Sequence, residues 1–262
     1  MGYKLLCISG KIFAIICIFT LLVASFPSAT NEPVSFLLDK VSSHDVVMLG
    51  TKHQCPPILH FIAQTLPALS NAGVTHVGLE IPSDQQTKID KFIKEGKSLE
   101  DIEIPNIIDC PEYRQLLKAI RTHSLNPVAC DLPRSMWDTP YTRDQWMAKK
   151  INKIFLQHLG AKFFMIVGNF HVIKKVEWLN VDSDEPFIRG YLSKYQPDLK
   201  IFSIAECIDD SADELNFLKL FGKTGEPVAV KTKGLDFKLG MLKVLAAKPM
   251  TAHEAVDAVI VF

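Results

Sequence analysis

Four short apolar runs, each ending abruptly in glycine or a polar residue, dominate the pattern of hydrophobic and polar positions along the chain. They are residues 46–49 before Gly50, 74–81 with Glu80 near the end, 127–130 before Asp131, and 163–167 before Gly168. Runs of this length bounded by turn residues are typical of buried strands. Two further runs, 199–204 and 255–262, predict strands as well, and we expect the last of them at an edge of the sheet.

Helical periodicity lies between these runs, over residues 57–71, 111–121 and 143–159. Pro67 predicts a kink or an early end in the first of these helices. Residues 84–105 are polar and mixed, which predicts a helix and a loop over the site. Strands that alternate with helices indicate right-handed βαβ crossovers. The pattern therefore predicts a single α/β domain over residues 31–262, with a mostly parallel central sheet and helices on both faces.

The first thirty residues predict a secretory signal peptide rather than part of this domain. Lys4 and Lys11 flank a start without acidic residues, residues 12–24 are apolar, and small residues follow them. That order of regions is typical of a cleaved leader, and a membrane span needs about 20 apolar residues, more than this run supplies. We expect cleavage after Ser25 and export to the periplasm or the medium. An uncleaved membrane anchor is the alternative, and no other membrane contact is expected.

Composition limits the partners of this domain. The 262 residues are 48% hydrophobic, enough for one large core, and 29 basic residues balance 29 acidic ones. Without a basic block or a long acidic run, no nucleic-acid partner is expected. Four of the six cysteines lie beyond the leader and lack the C-x-x-C spacing of zinc sites. Free thiols and one disulfide are the two alternatives for them.

Residues that can carry chemistry lie at the ends of the predicted strands. His53, Glu80, Asp131 and His171 are each at or just beyond such an end. In an open parallel sheet, ligands bind outside the carboxyl ends of the strands. Segments 50–53 (GTKH) and 168–171 (GNFH) share the form G-x-x-H, in which glycine permits a sharp exit from the sheet and histidine turns back over its edge. We therefore expect these side chains to converge.

Imidazole and carboxylate groups at one edge suit a divalent ion such as Mn, Co or Zn, held by His53, Glu80 and His171. A water bound to that ion would be the nucleophile, with Glu80 as ligand or general base. Arg143, in the first turn of a helix, would stabilise negative charge. The alternatives are packed core histidines, a solvated strand-end Glu80 and a solvated Arg143. A ligand histidine is expected to contribute little to stability, and Cys55 is a weaker candidate for a nucleophile.

These residues resemble a known superfamily, the erythromycin esterase/ChaN-like group that includes TraB and the Tiki metalloproteases. The resemblance covers residues 46–176 and rests on segments 49–53 (LGTKH), 78–80 (GLE), 143–151 and 167–172 (VGNFHV). Tiki-like members carry two G-x-x-H motifs and a glutamate, and are divalent-metal-dependent hydrolases. The resemblance implies that His53, Glu80 and His171 form the metal or catalytic set, with Arg143 as the helix arginine near it.

The chain departs from that pattern at two points. Erythromycin esterases and ChaN-like members have glutamate directly after the first glycine, where this chain has Thr51, as in the Tiki and TraB form. ChaN-like proteins are associated with haem or iron uptake, in which tyrosine can be the axial ligand. The tyrosines of this domain all lie outside the matching motifs: Tyr113, Tyr141, Tyr191 and Tyr195.

Two functions from different classes follow, and a third is retained. The favoured one is an exported, metal-dependent hydrolase that acts on a peptide or ester bond of a small-molecule or peptide substrate. The alternative is a ChaN-like protein that binds haem or iron for uptake, without turnover. The third is a domain that has kept the sheet and lost the chemistry. Metal analysis together with the visible spectrum separates the three.

Overall fold

The computed structural model of this protein describes residues 29–30, 32–179, 185–207, 216–217, 219, 221, 226–238 and 247–262. The predicted leader therefore lies outside the described residues, except for Ala29 and Thr30. Those two residues form a short strand that pairs with Ala229 and Val230, so cleavage after Ser25 would leave this strand in the mature chain. Across the described part of the chain, no helix is long and apolar enough to cross a membrane.

One sheet of eight strands forms the centre of the fold. The strands are β1 (Ala29–Thr30), β2 (Val46–Thr51), β3 (His76–Pro82), β4 (Asn126–Asp131), β5 (Phe163–Gly168), β6 (Ile201–Glu206), β7 (Val228–Lys231) and β8 (Ala258–Val261). Their order is β1-β7-β8-β6-β2-β5-β3-β4. The β2–β5, β2–β6, β3–β4, β3–β5 and β6–β8 pairs are parallel, and only β7 pairs antiparallel, with β1 and β8, among these strands. The predicted α/β fold with a mostly parallel sheet is confirmed.

The position of the last strand differs from the prediction. β8 lies between β6 and β7, not at an edge. The short strand β7 was not anticipated, because four residues following a turn carry too little periodicity to be recognised. β7 pairs with β8 on the side away from β6, and β1 pairs with β7. β1 rather than β8 is therefore the strand at this edge of the sheet.

Helices connect and cover the strands, and seven of them have bounds within the described residues. They are α1 (Pro33–Ser43), α2 (Pro56–Asn71), α3 (Gln86–Glu95), α4 (Pro111–Thr122), α5 (Arg143–Gln157), α6 (Ile188–Tyr195) and the short α7 (Ala252–Ala255). α2 continues through Pro67 to Asn71, so the early end is not observed. Residues 84–105 contain α3 and a short 3-10 helix at Leu99–Asp101, in line with a helix followed by loop.

The two faces of the sheet carry separate cores, as alternation along buried strands requires. In β2, Val47 and Leu49 pack on the face that α1 to α4 cover, with partners such as Leu37, Ile62, Phe92 and Leu116. Val46 and Met48 pack on the opposite face against α5 and α6, with partners such as Met147, Ile151 and Ile188. Helices therefore cover both faces, as predicted, and the polar residues are left to the edge where the strands end.

That edge, called here the C-terminal edge of the sheet, is formed by the ends of β2 to β6. The last residues of these strands are Thr51, Pro82, Asp131, Gly168 and Glu206. Thr51 lies opposite Gly168 in the register of β2 and β5. The pairing of β3 with β4 shifts between Leu79 and Pro82, and Glu80 lies in that irregular step. The loops that carry His53 and His171 both leave the sheet at this edge.

Candidate functional site

Glu80 is the buried centre of the polar cluster, with 3% of its surface exposed. Its Oε2 accepts a hydrogen bond of 2.8 Å from the backbone N–H of Gly168, and its Oε1 accepts one of 2.5 Å from Nη2 of Arg143. Burial by itself raises the pKa of Glu80, but the bond from His171 and the charges of His171, Arg143 and His53 lower it to about 2. The carboxylate is therefore ionised at neutral pH and is a weak base.

Arg143 joins Glu80 to a second strand-end carboxylate. It is the first residue of α5, whose N-terminus is capped by the Thr142 hydroxyl. The guanidinium bonds Asp131 bidentately, Nε to Oδ1 at 2.9 Å and Nη2 to Oδ2 at 2.7 Å. Burial lowers its pKa, and the two carboxylates more than reverse that effect. Its Nη1 takes no part in these bonds, and 44% of the side chain is exposed, so donors remain for a ligand.

Asp131 takes part in both the turn after β4 and the polar cluster. Its Oδ1 accepts the backbone N–H of Leu132 at 2.8 Å, which closes the turn, and the same carboxylate orients Arg143.

His171 lies on the other side of Glu80, in a short 3-10 helix at Asn169–Val172. Its Nδ1 is 2.9 Å from Oδ1 of Asp144, and its Nε2 is 3.6 Å from Oε1 of Glu80. Burial lowers the pKa of His171, but Asp144 and Glu80 reverse this and raise it to about 10. The ring is therefore protonated at neutral pH, with one carboxylate at each nitrogen. Sequence reasoning missed Asp144, although it directly follows Arg143.

His53 is a partly exposed imidazole of the cluster, and it lies against the backbone of Gly168. A Cβ at position 168 would be 2.8 Å from Cε1 of His53, 3.0 Å from its Nε2 and 3.5 Å from Oε2 of Glu80. The glycine of the second G-x-x-H segment is thus required for the histidine of the first to approach Glu80. The structure brings together all the residues named from the sequence as metal or catalytic candidates: His53, Glu80, Arg143 and His171.

The same two segments also pack on each other through their other residues. A Cβ at Gly50 would lie 2.6 Å from Oδ1 of Asn169, so this glycine makes room for the asparagine. Asn169 clamps the end of β6: its Oδ1 accepts the N–H of Glu206, and its Nδ2 donates to the carbonyl of Glu206, both at 3.0 Å. Glu206 was not identified from the sequence, because one carboxylate at the end of a weakly predicted strand gives no signal.

The surroundings of Cys55 disfavour the thiolate that a nucleophile requires. Burial raises the pKa of its thiol to about 11, and the hydrogen bond to Glu206 acts in the same direction. All four cysteines of the domain are free thiols: Cys55, Cys110, Cys130 and Cys207. Of the two alternatives left open by the sequence, free thiols are observed.

The geometry does not suit the divalent ion that the sequence suggested. Within the described residues, no group of three His, Cys, Asp or Glu side chains is placed to hold one. Arg143 already provides a positive charge in contact with Glu80. His171 is held as an imidazolium between two carboxylates, and a metal ligand must be deprotonated. The positive charge that a metal would bring is thus supplied by side chains.

The tyrosines differ sharply in their access to an external ligand. The hydroxyl groups of Tyr113 and Tyr195 are buried and, among the residues described, have no hydrogen-bond partner. Tyr191 is 8% exposed. Tyr141, just before α5, is partly exposed and carries the ammonium of Lys149 3.8 Å from its ring centroid. Tyr141 is therefore the accessible phenol near the loop that leads to Arg143.

Comparison with known proteins agrees with this architecture. Residues 37–139 match a family model described as haem-binding uptake, Tiki superfamily, ChaN. The fold is similar to ChaN of Campylobacter jejuni, in a structure with cofacial haem, at a TM-score of 0.56 and 12% identity over 91% of this chain and 97% of that one. The resemblance to this superfamily is confirmed.

Two further solved structures are similar in fold to this chain. An erythromycin esterase, EreC, in its open conformation is similar at a TM-score of 0.65 and 12% identity, over 88% of this chain and 93% of that one. A Bacillus cereus protein follows at 0.60 and 13%, over 89% and 91%. No curated protein matches the sequence. Identities this low show the fold alone, and the chemistry must be argued from the site.

Proposed function

We propose that this protein is an exported hydrolase of ester or peptide bonds in which His53 activates water. The observation that carries the proposal is the position of His53. It is a partly exposed imidazole beside a carboxylate, Glu80, that Arg143 and His171 keep ionised. A base of this kind must be reachable by water and close to groups that stabilise charge.

The chemistry follows from the charges at each group. His53 takes a proton from water as the water oxygen bonds to the acyl carbon, and then gives that proton to the leaving group. Negative charge develops on the carbonyl oxygen, and the free Nη1 donors of Arg143 are available to it. Glu80 and Asp131 hold the guanidinium in place. Glu80 therefore acts by orienting neighbours and stabilising the imidazolium of His53 rather than as the base.

The original hypothesis of a Mn, Co or Zn centre at His53, Glu80 and His171 is not adopted. We expect protein dialysed against EDTA to retain its hydrolytic activity, because Arg143 and protonated His171 already supply positive charge at Glu80. If EDTA abolishes the activity and a stoichiometric divalent ion recovers it, the metal hypothesis is supported instead.

The test of hydrolysis uses para-nitrophenyl acetate and butyrate together with a mixed fluorogenic peptide library. We expect turnover that falls about a hundredfold or more in His53→Ala, the usual contribution of a general base. His158→Ala is the matched control, since this exposed histidine follows α5 and lies near His76, at the start of β3. Absence of any turnover in the wild type, or full activity in His53→Ala, would contradict the proposal.

Haem binding for uptake is the second candidate, supported by the family match over residues 37–139. Two side chains near the site fit an axial ligand by accessibility, His53 and Tyr141, whereas Tyr113 does not because its hydroxyl is buried. Titration with haemin should then give a Soret band that shifts in His53→Ala or Tyr141→Phe. A wild type that neither binds haem nor hydrolyses these substrates would favour a domain that has lost its chemistry.

The proposal that the protein is exported rests on the order of charged, apolar and small residues in positions 1–30. We expect the mature N-terminus between Phe26 and Asn31. N-terminal sequencing of protein expressed with its own leader tests this, and Met1 retained on a protein found in the cytosol would contradict it.

A further inference from the structure

Both chain neighbours of His53 are held by hydrogen bonds to distant parts of the fold. The backbone N–H of Lys52 donates to Oε2 of Glu206, at the end of β6, over 2.5 Å. The side-chain amide of Gln54 donates to the carbonyl of Asn106 at 2.6 Å and to that of Asp109 at 3.3 Å. His53 thus projects from a turn that is tied on one side to the sheet and on the other to the loop before α4.

The turn needs these ties because its backbone is strained. Gln54 has φ of +54°, in the left-handed region that residues other than glycine rarely adopt. Such a conformation persists when the surrounding contacts fix it. The amide of Gln54 supplies contacts of that kind and thereby aims His53 back over the C-terminal edge of the sheet.

Glu206 is itself fixed before it holds the turn. Asn169 bonds both backbone groups of Glu206, and the side chain is 4% exposed. Its carboxyl group also accepts the thiol of Cys55. It therefore bonds the turn on both sides of His53, at Lys52 and at Cys55. A buried carboxylate is costly to keep, and a hydrophobic residue would satisfy the packing alone.

We propose that Glu206 and Gln54 are positioning residues that fix the imidazole of His53 against Gly168. The proposal rests on the function assigned above to His53, but the orientation of the ring can be measured without any substrate. Glu206 acts through the Lys52 N–H and the Cys55 thiol, and Gln54 acts through the carbonyls of the loop before α4.

The experiment compares Glu206→Ala, Glu206→Gln and Gln54→Gly with the wild type. The His53 imidazole is followed by long-range proton–nitrogen NMR, with its signal assigned by its loss in His53→Ala, and by the rate at which diethyl pyrocarbonate modifies it. We expect the signal to shift and modification to accelerate in Glu206→Ala. Glu206→Gln, which keeps an acceptor for Lys52, should lie between. Gln54→Gly relieves the left-handed strain but loses the amide, so it should also free the ring.

Turnover of para-nitrophenyl butyrate is the second readout, and we expect it to fall about tenfold or more in Glu206→Ala through kcat. Asp257→Asn is the matched control: Asp257 is another partly buried carboxylate, bonded to Arg189 and Ser203 away from this turn. It should lower stability without moving the His53 signal.

An unchanged His53 signal in Glu206→Ala or Gln54→Gly overturns the assignment of that residue, and a shift in Asp257→Asn would make the effect merely structural. If the wild type hydrolyses no ester while the His53 signal moves as expected, the proposed function fails and the positioning role stands.

Discussion

Asp144 and His171 form a partly buried pair, with Oδ1 of the aspartate 2.9 Å from Nδ1 of the imidazole. The same oxygen accepts the backbone N–H of Ile188, at the start of α6, over 3.1 Å. The pair therefore connects α5, α6 and the turn after β5. It turns the other ring nitrogen of His171 towards Glu80, and a carboxylate at Nδ1 favours the charged ring.

Asp144→Asn tests this relationship directly. Burial lowers the pKa of His171, and Asp144 is the first of the groups that raise it to about 10. We expect the substitution to lower that pKa by one unit or more, at about 1.4 kcal/mol per unit, as measured by NMR titration of the ring. Asp138→Asn, at an exposed position before the same helix, should leave the titration unchanged. An unchanged His171 titration in Asp144→Asn would show that Asp144 does not hold the ring in its charged form.

The free energy of unfolding should depend on pH through the titration of His171. Its pKa in the folded state is above its unfolded value of 6.5, so its contribution is fully present below pH 6.5 and is lost as the pH rises towards 10. We expect the free energy of unfolding in urea to fall between pH 7 and 9.5, by on the order of 2 kcal/mol. The fall should be smaller in Asp144→Asn. An equal fall in both proteins would assign it to other groups.

His171→Ala should destabilise the protein more than His53→Ala does, whereas both variants should lose turnover. The sequence led us to expect little stability cost at a site histidine, and the structure changes that expectation for His171. Its removal takes one partner from each of Asp144 and Glu80, and the loss of a hydrogen bond to a charged group costs about 1.5–3 kcal/mol. His53, which lies against the backbone of Gly168, should cost less. Thermal unfolding of both variants, with His158→Ala as the neutral reference, decides the point, and equal melting temperatures for both would contradict it.

Gly168→Ala should reduce turnover about tenfold or more through displacement of His53. The new Cβ would lie 2.8 Å from Cε1 of that ring, and the ring can move away, so stability should change little. Gly160→Ala makes a matched comparison, since position 160 is open but has φ of +75°. It should lose about 1–2 kcal/mol of stability and keep its activity. Unchanged kinetics in Gly168→Ala would mean that the position of His53 is not needed.

Tyr113→Phe should leave the protein as stable as the wild type or stabilise it by about 1 kcal/mol. The buried hydroxyl of Tyr113 has no hydrogen-bond partner among the described residues. Burial and then the charge of Glu80 raise its pKa well above the ordinary value, so it is not a phenolate ligand. Urea unfolding gives the stability. A haemin spectrum that changes in Tyr113→Phe would show that the hydroxyl becomes accessible when haem binds.

The sequence determined the class of the fold and the edge that carries the site. Apolar runs that end in glycine or a carboxylate describe strands buried on both faces, and parallel strands must end at one common edge. This is why His53, Glu80 and His171 could be placed together without coordinates. Edge strands could not be placed: β7 and β1 are too short to show a period, and their pairing depends on contacts between segments about two hundred residues apart.

Only the tertiary structure decided what the gathered residues do. The sequence predicted a metal centre for these three side chains, whereas the structure shows the guanidinium of Arg143 on Glu80 and the carboxylate of Asp144 on His171, which make them part of an ion-paired cluster. Those pairings depend on side-chain directions at the start of α5, which periodicity does not encode. Local sequence decides whether a segment is strand or helix through burial and spacing. Charge and protonation in a site depend on distances of a few ångströms between residues far apart in the chain, and only the folded packing fixes those distances.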